Sequence, residues 1–149
     1  MSFLWYVART VLGLILRRPL VGVRAIPFLP DGRVVLVHLQ RGGWVLPGGL
    51  VDHNEKLHTA LDRELQEECG VRVERFGRLC GVYSEPWRDV RFHSVCVVIE
   101  VFVQGTLRTS DPQEIREVAA FALDALPEEL LVDCRTQLAQ YLAGEVVVD

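Results

Sequence analysis

Several residue patterns that mark common protein classes are missing from this chain of 149 residues. Its four cysteines are widely spaced, and they form neither a CxxC pair nor a zinc-type cysteine and histidine spacing. We therefore expect free cysteines in a reducing, cytoplasmic compartment. The four histidines form no HExxH motif, so histidine is not the obvious metal ligand.

An excess of basic charge is also missing. The chain carries 16 lysines and arginines against 20 acidic residues, a formal net charge of −4. This balance argues against binding of a nucleic acid polymer through a broad basic face, which depends on many cations. An anionic substrate must instead be held by a local cation.

No apolar run is long enough to span a membrane. Residues 3–16 are strongly apolar, but this stretch is shorter than the roughly 20 residues that a spanning helix needs, and it contains Arg9. It also lacks the basic start and the cleavage site of a signal peptide. Its apolar residues share one helical face, so we expect residues 1–19 to form an N-terminal amphipathic helix. That helix could pack on its own domain, join two copies into a homodimer, or lie on a membrane surface.

The remaining residues, 20–149, have the pattern of one α/β domain. Half of the chain is hydrophobic, enough for a sizeable core. Residues 55–68 favour a helix that Gly70 would end, residues around 134–142 favour another, and glycines at 48 and 49 predict a loop. The strand-like segments are 21–28, 33–39, 71–83, 92–103 and 118–123. This order predicts a mixed β-sheet with helices on its faces.

Three acidic residues of the first predicted helix fall close together. Glu64, Glu67 and Glu68 lie within an arc of about 100° on a helical wheel. Like charges at this spacing repel, and a divalent cation would remove that cost. Hard oxygen ligands favour magnesium, manganese or calcium over zinc. The alternative is a solvated acidic face whose charge Arg63 and Lys56 offset.

The sequence around these acids resembles the Nudix hydrolase superfamily. The Nudix box is G-x5-E-x7-R-E-U-x-E-E-x-G-U, where U is apolar, and residues 49–71 match it at every specified position. The matching residues are Gly49, Glu55, Arg63, Glu64, Leu65, Glu67, Glu68, Gly70 and Val71. The resemblance extends over about residues 20–143, and it implies an α/β/α sandwich with a mixed sheet.

The resemblance implies a metal site. Glu64, Glu67 and Glu68 would be carboxylate ligands of Mg²⁺ or Mn²⁺, and the Gly48 carbonyl would be a further ligand. Held by these groups, the ion would assist hydrolysis of a pyrophosphate bond. Glu64 and Glu67 are therefore also predicted catalytic residues.

The resemblance implies supporting roles for three other residues of the box. Glu55 and Arg63 would hold the loop and the helix together through a charged contact, and Gly49 would shape the loop. Asn54 stands where many relatives have glycine. Asparagine tolerates the left-handed conformation, so we expect the turn to survive.

The group that takes a proton from the attacking water is less clearly marked. Relatives use either a box glutamate or one from a later loop. Glu114, which precedes the last predicted strand, occupies a similar place here. It could equally be a surface acid beside Arg116.

The substrate is indicated only by a short segment. Pro86 stands at about the distance from the box at which many ADP-ribose pyrophosphatases have a proline. Arg88 and Arg91 would then hold a phosphate or ribose, and Trp87 would stack on a base. Alternatively, Pro86 ends a strand and these charges face water. We expect a nucleotide-derived small molecule, with ADP-ribose or a similar nucleotide sugar first. Nucleoside triphosphates and dinucleoside polyphosphates follow.

Two alternatives to an enzyme are also compatible with the sequence. Some Nudix domains are non-catalytic nucleotide-binding regulators, although the intact box argues against that role here. An acidic calcium-binding or scaffold module would bind metal without pyrophosphatase activity. Metal-dependent turnover separates both from the hydrolase.

Overall fold

The central strands of the fold are apolar on both faces. A computed structural model describes residues 7, 8, 10–12, 15, 18–89 and 91–149. In it, Val35 and Val37 belong to one layer of the core, and Val34 and Leu36 belong to the other. A strand with this pattern must be covered on both sides.

The structure consists of one eight-stranded sheet and the helices that cover it. The strands are β1 Leu20–Phe28, β2 Val34–Leu39, β3 Trp44–Val45, β4 Gly48–Leu50, β5 Arg72–Tyr83, β6 Ser94–Gln104, β7 Ile115–Phe121 and β8 Val147–Val148. Within residues 18–89 and 91–149 the helices are α1 Leu57–Cys69 and α2 Val132–Leu142, and Pro86–Arg88 forms a single 3-10 turn.

The sheet is mixed, as the sequence predicts. Its main path runs β3-β2-β1-β6-β5-β8, with β4 paired to β1 and β7 paired to β2. The pairs β1·β6 and β5·β8 are parallel, and the other pairs are antiparallel. One edge of β1 is shared between two partners, because Phe28 pairs with Val34 of β2 while Arg24 pairs with Gly48 of β4. This division brings β4 towards α1.

Each helix covers one face of the sheet. Leu61 and Leu65 of α1 are fully buried in the layer that contains Val23 of β1. On the other face, Leu138 of α2 is buried with Ile26 of the same strand. Burying side chains of this size contributes about 1.5–3 kcal/mol each. The predicted α/β/α sandwich is confirmed.

Local signals for turns and helix ends are also confirmed. Gly70 has a left-handed backbone (φ 71°), and its N–H donates to the carbonyl of Gln66 at the end of α1. Asn54 has φ 60° and is the one non-glycine residue with positive φ in the described part of the chain. Residues 30–31 form the turn between β1 and β2.

Several elements differ from the prediction. The strand β3 was not predicted, and α1 begins at Leu57 and not at residue 55. Gly48 and Gly49 belong to a strand and not to a loop, because β1 offers them an edge that β2 has left. β7 begins at Ile115, which the hydrophobic run at 118–123 does not include. β8 was not predicted, since two residues carry too little pattern to mark a strand.

The predicted N-terminal helix over residues 3–16 falls largely outside the described residues. Those that are described there, at 7, 8, 10–12 and 15, are helical. No helix in the described part of the chain has the length and apolar character needed to cross a membrane. The proposed boundary between residues 1–19 and 20–149 stays a prediction.

We predict that Gly70→Ala destabilises the fold more than Gly144→Ala. Both glycines have left-handed backbones (φ 71° and 74°), and alanine there costs about 1–2 kcal/mol. At Gly70 an added Cβ would also lie 2.5 Å from Cγ of Arg108, whereas at Gly144 it would meet nothing within 4 Å. Urea unfolding of both variants measures the difference. Equal losses of unfolding free energy would show that the contact with Arg108 carries no cost.

Candidate active site

The three predicted metal-binding carboxylates of α1 differ in exposure. Glu68 keeps 8% of its accessible surface and lies on the buried side of the helix with Leu61 and Leu65. The Glu64 side chain is 13% exposed and that of Glu67 is 45% exposed. Exposure thus increases from Glu68, which faces the sheet, through Glu64 to Glu67, which lies at the surface.

The glycines of β4 allow the main chain to approach these carboxylates. The Gly48 N–H donates to Oε2 of Glu68 at 2.9 Å. A Cβ on Gly49 would lie 2.4 Å from Oε1 of Glu64, and one on Gly48 would lie 2.1 Å from the carbonyl oxygen of Val23. A side chain at Gly48 would therefore push β4 away from β1, and one at Gly49 would displace the Glu64 carboxylate.

Arg63 belongs to α1. It connects the helix to β4 and to the turn that lies between β4 and α1. Its Nε and Nη2 donate to the two carboxylate oxygens of Glu55, each at 2.9 Å. Nη2 also donates to the Leu50 carbonyl at 3.1 Å, and Nη1 donates to Oε1 of Glu64 at 2.7 Å. The charged contact that the resemblance implies is therefore present. It also reaches Glu64, a connection that the sequence did not predict.

Glu55 holds the turn that precedes α1. Its Oε2 accepts a hydrogen bond from the Asp52 N–H at 2.8 Å. The left-handed Asn54 lies inside this turn and lets the chain reverse. Glu55 is thus part of the turn, and α1 begins two residues later, at Leu57.

Residues 105–114 form a loop against the end of α1. The N–H of Ser110 donates to the Glu67 carbonyl at 2.8 Å, and the N–H of Arg108 donates to the Cys69 carbonyl at 2.9 Å. At the other end of the loop, the Glu114 carbonyl accepts from the Gln40 N–H at 2.8 Å. These bonds fix the loop and bring Glu114 near the helix.

The carboxylates near α1 repel one another. Burial, followed by the charge of Glu64, raises the pKa of Glu68 well above its usual range, and Glu114 and Asp111 add to this effect. Burial also raises the pKa of Glu64, against the opposing influence of Arg63. Partial desolvation and the charge of Asp111 raise the pKa of Glu114. A cation placed among these groups would relieve the repulsion.

The carboxylates near α1 are suitable ligands for a divalent metal ion, but their oxygens do not converge on a single point. Carboxylate oxygens are the ligands that magnesium and manganese prefer. Within the described residues, however, no three Asp, Glu, His or Cys side chains form a group that could hold an ion. One oxygen of Glu64 is turned to Arg63 and one of Glu68 to the Gly48 N–H. Metal binding would therefore require these carboxylates to turn.

The sequence matches the NUDIX domain family over residues 18–141. The chain belongs to this family. Members generally need a divalent metal ion.

Relatives of this Nudix domain carry several names. The ADP-ribose pyrophosphatase of Methanocaldococcus jannaschii is 33% identical over 103 residues, 66% of this chain and 59% of that protein. The RNA pyrophosphohydrolase of Caulobacter vibrioides is 48% identical over 69 residues, 43% of this chain and 39% of that protein. The chain thus spans less than two thirds of these relatives. The MutT NUDIX hydrolase of Burkholderia pseudomallei has a similar structure, with a TM-score of 0.72, 34% identity, and coverage of 83% of this chain and 98% of that chain.

The predicted substrate residues lie in the segment 84–93 of the Nudix domain. Trp87 is 66% exposed. Arg88 is engaged within the protein, since it pairs with Asp149, lies 3.8 Å from Asp133 and packs over the ring of Tyr83. Contact of either residue with a substrate stays a prediction.

Among the predicted substrate residues, Arg91 is the one whose charge acts on the pKa of Glu114. It forms a salt bridge with Asp89 at 2.7 Å, and its charge also acts on Glu114, lowering the pKa of that carboxyl. Arg41 acts on Glu114 in the same direction. The two arginines thus partly offset the rise in the pKa of Glu114 that burial and Asp111 cause.

Two charged neighbours of the site were missed in the sequence. Arg41 lies in the turn between β2 and β3, and Asp111 lies in the loop 105–114. Neither belongs to the box, and each reaches the site only through contacts between distant segments. The polar composition of 109–114 was the single signal that could have drawn attention to Asp111.

We predict that Glu55 and Arg63 are energetically coupled. Glu55→Gln and Arg63→Lys each break a paired, partly buried contact, and each should lower the free energy of unfolding by about 1–3 kcal/mol. The double variant should lose less than the sum, by about 0.5–3 kcal/mol. Urea unfolding of the four proteins gives this coupling.

The exposed pair Asp31 and Arg33 is a matched control, with a 2.8 Å contact between side chains that are each about half exposed. Asp31→Asn and Arg33→Lys should change stability by less than about 1 kcal/mol. Additive losses at Glu55 and Arg63 would contradict the prediction.

Proposed function

We propose that this chain is a divalent-metal-dependent pyrophosphohydrolase. It cleaves the pyrophosphate bond of a nucleoside diphosphate linked to another group, with ADP-ribose or a similar nucleotide sugar as the leading substrate. Mg²⁺ or Mn²⁺ is the proposed ion. The observation that carries the proposal is the packing of Glu64 and Glu68 against β4, with Glu114 beside them.

The carboxylates near α1 have separate proposed roles. Glu64, Glu67 and Glu68 would hold the ion together with the Gly48 carbonyl. The ion would supply charge neutralisation on the phosphate oxygens of the substrate. Arg63 orients Glu64 through its 2.7 Å hydrogen bond.

Glu114 is the proposed general base. Its raised pKa makes it a better proton acceptor than an ordinary glutamate. It lies outside α1, on the loop 105–114, whose main chain is held by hydrogen bonds of Arg108 and Ser110 to α1 and of the Glu114 carbonyl to Gln40.

The substrate proposal rests on the relatives and on the segment 84–93. The relative from M. jannaschii is named an ADP-ribose pyrophosphatase. Trp87 is 66% exposed and offers an aromatic ring for a base, although the Arg88 guanidinium packs 4.8 Å from it. The charge of Arg91 acts on Glu114 and would attract a phosphate. Nucleoside triphosphates and dinucleoside polyphosphates are the alternative substrates. A non-catalytic nucleotide-binding regulator is the alternative of another class.

We further propose that the chain acts in the cytoplasm as a homodimer. The four cysteines are free, which suits a reducing compartment. The N-terminal helix is the proposed contact between the two copies, and a membrane surface is its alternative partner. Light scattering at high protein concentration tests the dimer, and a monomeric mass would reject it.

We predict metal-dependent cleavage that is lost in Glu67→Gln. Wild type and variant are incubated with Mg²⁺ or Mn²⁺ and a panel of ADP-ribose, nucleotide sugars, dinucleoside polyphosphates and nucleoside triphosphates. Released AMP or phosphate is measured. Glu67 is half exposed, so its replacement should leave the fold intact while it removes a predicted ligand.

Glu74→Gln is the control for this panel, because Glu74 is an exposed residue of β5. It should cleave as wild type does. Turnover by wild type that persists in EDTA would contradict a metal-dependent mechanism. Binding of these nucleotides without any turnover would favour the regulator.

We also predict that Glu114→Gln lowers kcat by about 10² or more, since a positioned base contributes about 10²–10⁴. The variant keeps the size of the side chain but cannot take a proton. Steady-state kinetics on the best substrate of the panel measures the loss. Glu117→Gln makes the same change at an exposed position of β7 and should have little effect. Near-normal turnover of Glu114→Gln would reject the assignment.

A further inference from the structure

A groove lies beside the proposed metal site, at the end of α1. We call it the outer groove. It has a volume of about 320 Å³ and is lined by Gln66, Glu67, Gly70, Arg72, Arg108 and Ser110. Glu67 belongs to both the outer groove and the predicted metal-binding set, so the groove adjoins the proposed site at this residue.

The walls of the outer groove are held by main-chain contacts. Gly70 turns the chain from α1 into β5, which places Arg72 on one side. Arg108 crosses the end of the helix, where its main-chain carbonyl oxygen would lie 2.8 Å from a Cβ on Gly70. The hydrogen bonds of Arg108 and Ser110 to the last turn of α1 fix the opposite side. The arginines therefore project from a fixed frame.

The two arginines of the outer groove carry uncompensated charge. Across the described residues, neither Arg72 nor Arg108 forms a salt bridge or a side-chain hydrogen bond, whereas Arg24, Arg63 and Arg88 each pair with carboxylates. Glu67 also lines the groove, so its lining carries two positive charges against one negative charge, a local positive excess in a chain with a net charge of −4. Guanidinium groups bind phosphate well because their donors match its oxygens.

The end of α1 does not oppose an anion here as strongly as a bare helix end would. The carbonyls of a last turn normally carry partial negative charge. In this helix the carbonyls of Gln66, Glu67 and Cys69 accept hydrogen bonds from Gly70, Ser110 and Arg108.

We propose that the outer groove binds a phosphate group of the substrate that lies beyond the cleaved pyrophosphate. This inference rests on the proposed function. ADP-ribose has only the two phosphates of the cleaved bond, so it would leave the outer groove empty. The alternative substrates, a nucleoside triphosphate or a dinucleoside polyphosphate, would fill it. Arg72 and Arg108 would thus raise the activity towards these alternative substrates relative to that towards ADP-ribose.

The first test measures binding without catalysis. Inorganic tripolyphosphate is titrated into the full chain by calorimetry in EDTA at low salt, where the carboxylates hold no ion and repel the probe. Wild type should bind it, and Arg72→Gln with Arg108→Gln should weaken binding at least about tenfold. The control, Arg75→Gln with Arg116→Gln, removes the same charge from exposed positions outside the groove and should bind as wild type does.

The second test measures specificity. The ratio of kcat/KM for a nucleoside triphosphate to that for ADP-ribose should fall at least about tenfold in the groove variant and stay constant in the control. Circular dichroism establishes that both variants are folded. Equal weakening of tripolyphosphate binding in both double variants, or no binding by wild type, would overturn the proposal.

The two tests separate the outer groove from the proposed function. Binding of tripolyphosphate through Arg72 and Arg108 without hydrolysis of any nucleotide would keep the groove as an anion site and reject the hydrolase. Hydrolysis of ADP-ribose without tripolyphosphate binding would keep the hydrolase and reject the groove.

Discussion

The arrangement of the site depends on the guanidinium group of Arg63. It donates to both oxygens of Glu55, to the Leu50 carbonyl and to Glu64. A planar group with several fixed donors can serve three segments at once, which a lysine cannot do. Because Arg63 belongs to α1, these hydrogen bonds fix the position of β4 and of the turn that precedes α1 relative to the helix. The distance between the glycines and the carboxylates follows from this one side chain.

The sheet supplies the second constraint, because it fixes where α1 can lie. β1 is buried on both faces, and its edge is divided between β2 and β4. Leu61 and Leu65 anchor α1 on one face, so Glu68 is drawn into the interior together with them. A charge in this position is costly unless it is compensated. Here the Gly48 N–H provides part of that compensation.

Sequence reasoning succeeded where a feature depends on neighbours along the chain. The helix α1, its end at Gly70 and the left-handed Asn54 follow from periodicity, a helix stop signal and the tolerance of asparagine. It failed where a feature depends on pairing across the chain. β4 and β8 exist because β1 and β5 offer them edges. Arg41 and Asp111 come near Glu114 through folding alone, and Arg88 is held by Asp149, 61 residues away.

The two least exposed carboxylates of α1 are each held by a donor of the protein. Glu68 accepts from the Gly48 N–H and Glu64 accepts from Arg63, while the charges of Arg41 and Arg91 act on Glu114. Donors within the protein thus already perform part of the compensation that a cation would complete. A cation would share Glu64 with Arg63 and Glu68 with the Gly48 N–H, because each of these donors engages one oxygen of its carboxylate. Arg63 also holds Glu55 and the Leu50 carbonyl of β4, so the side chain that holds Glu64 also fixes the turn before α1.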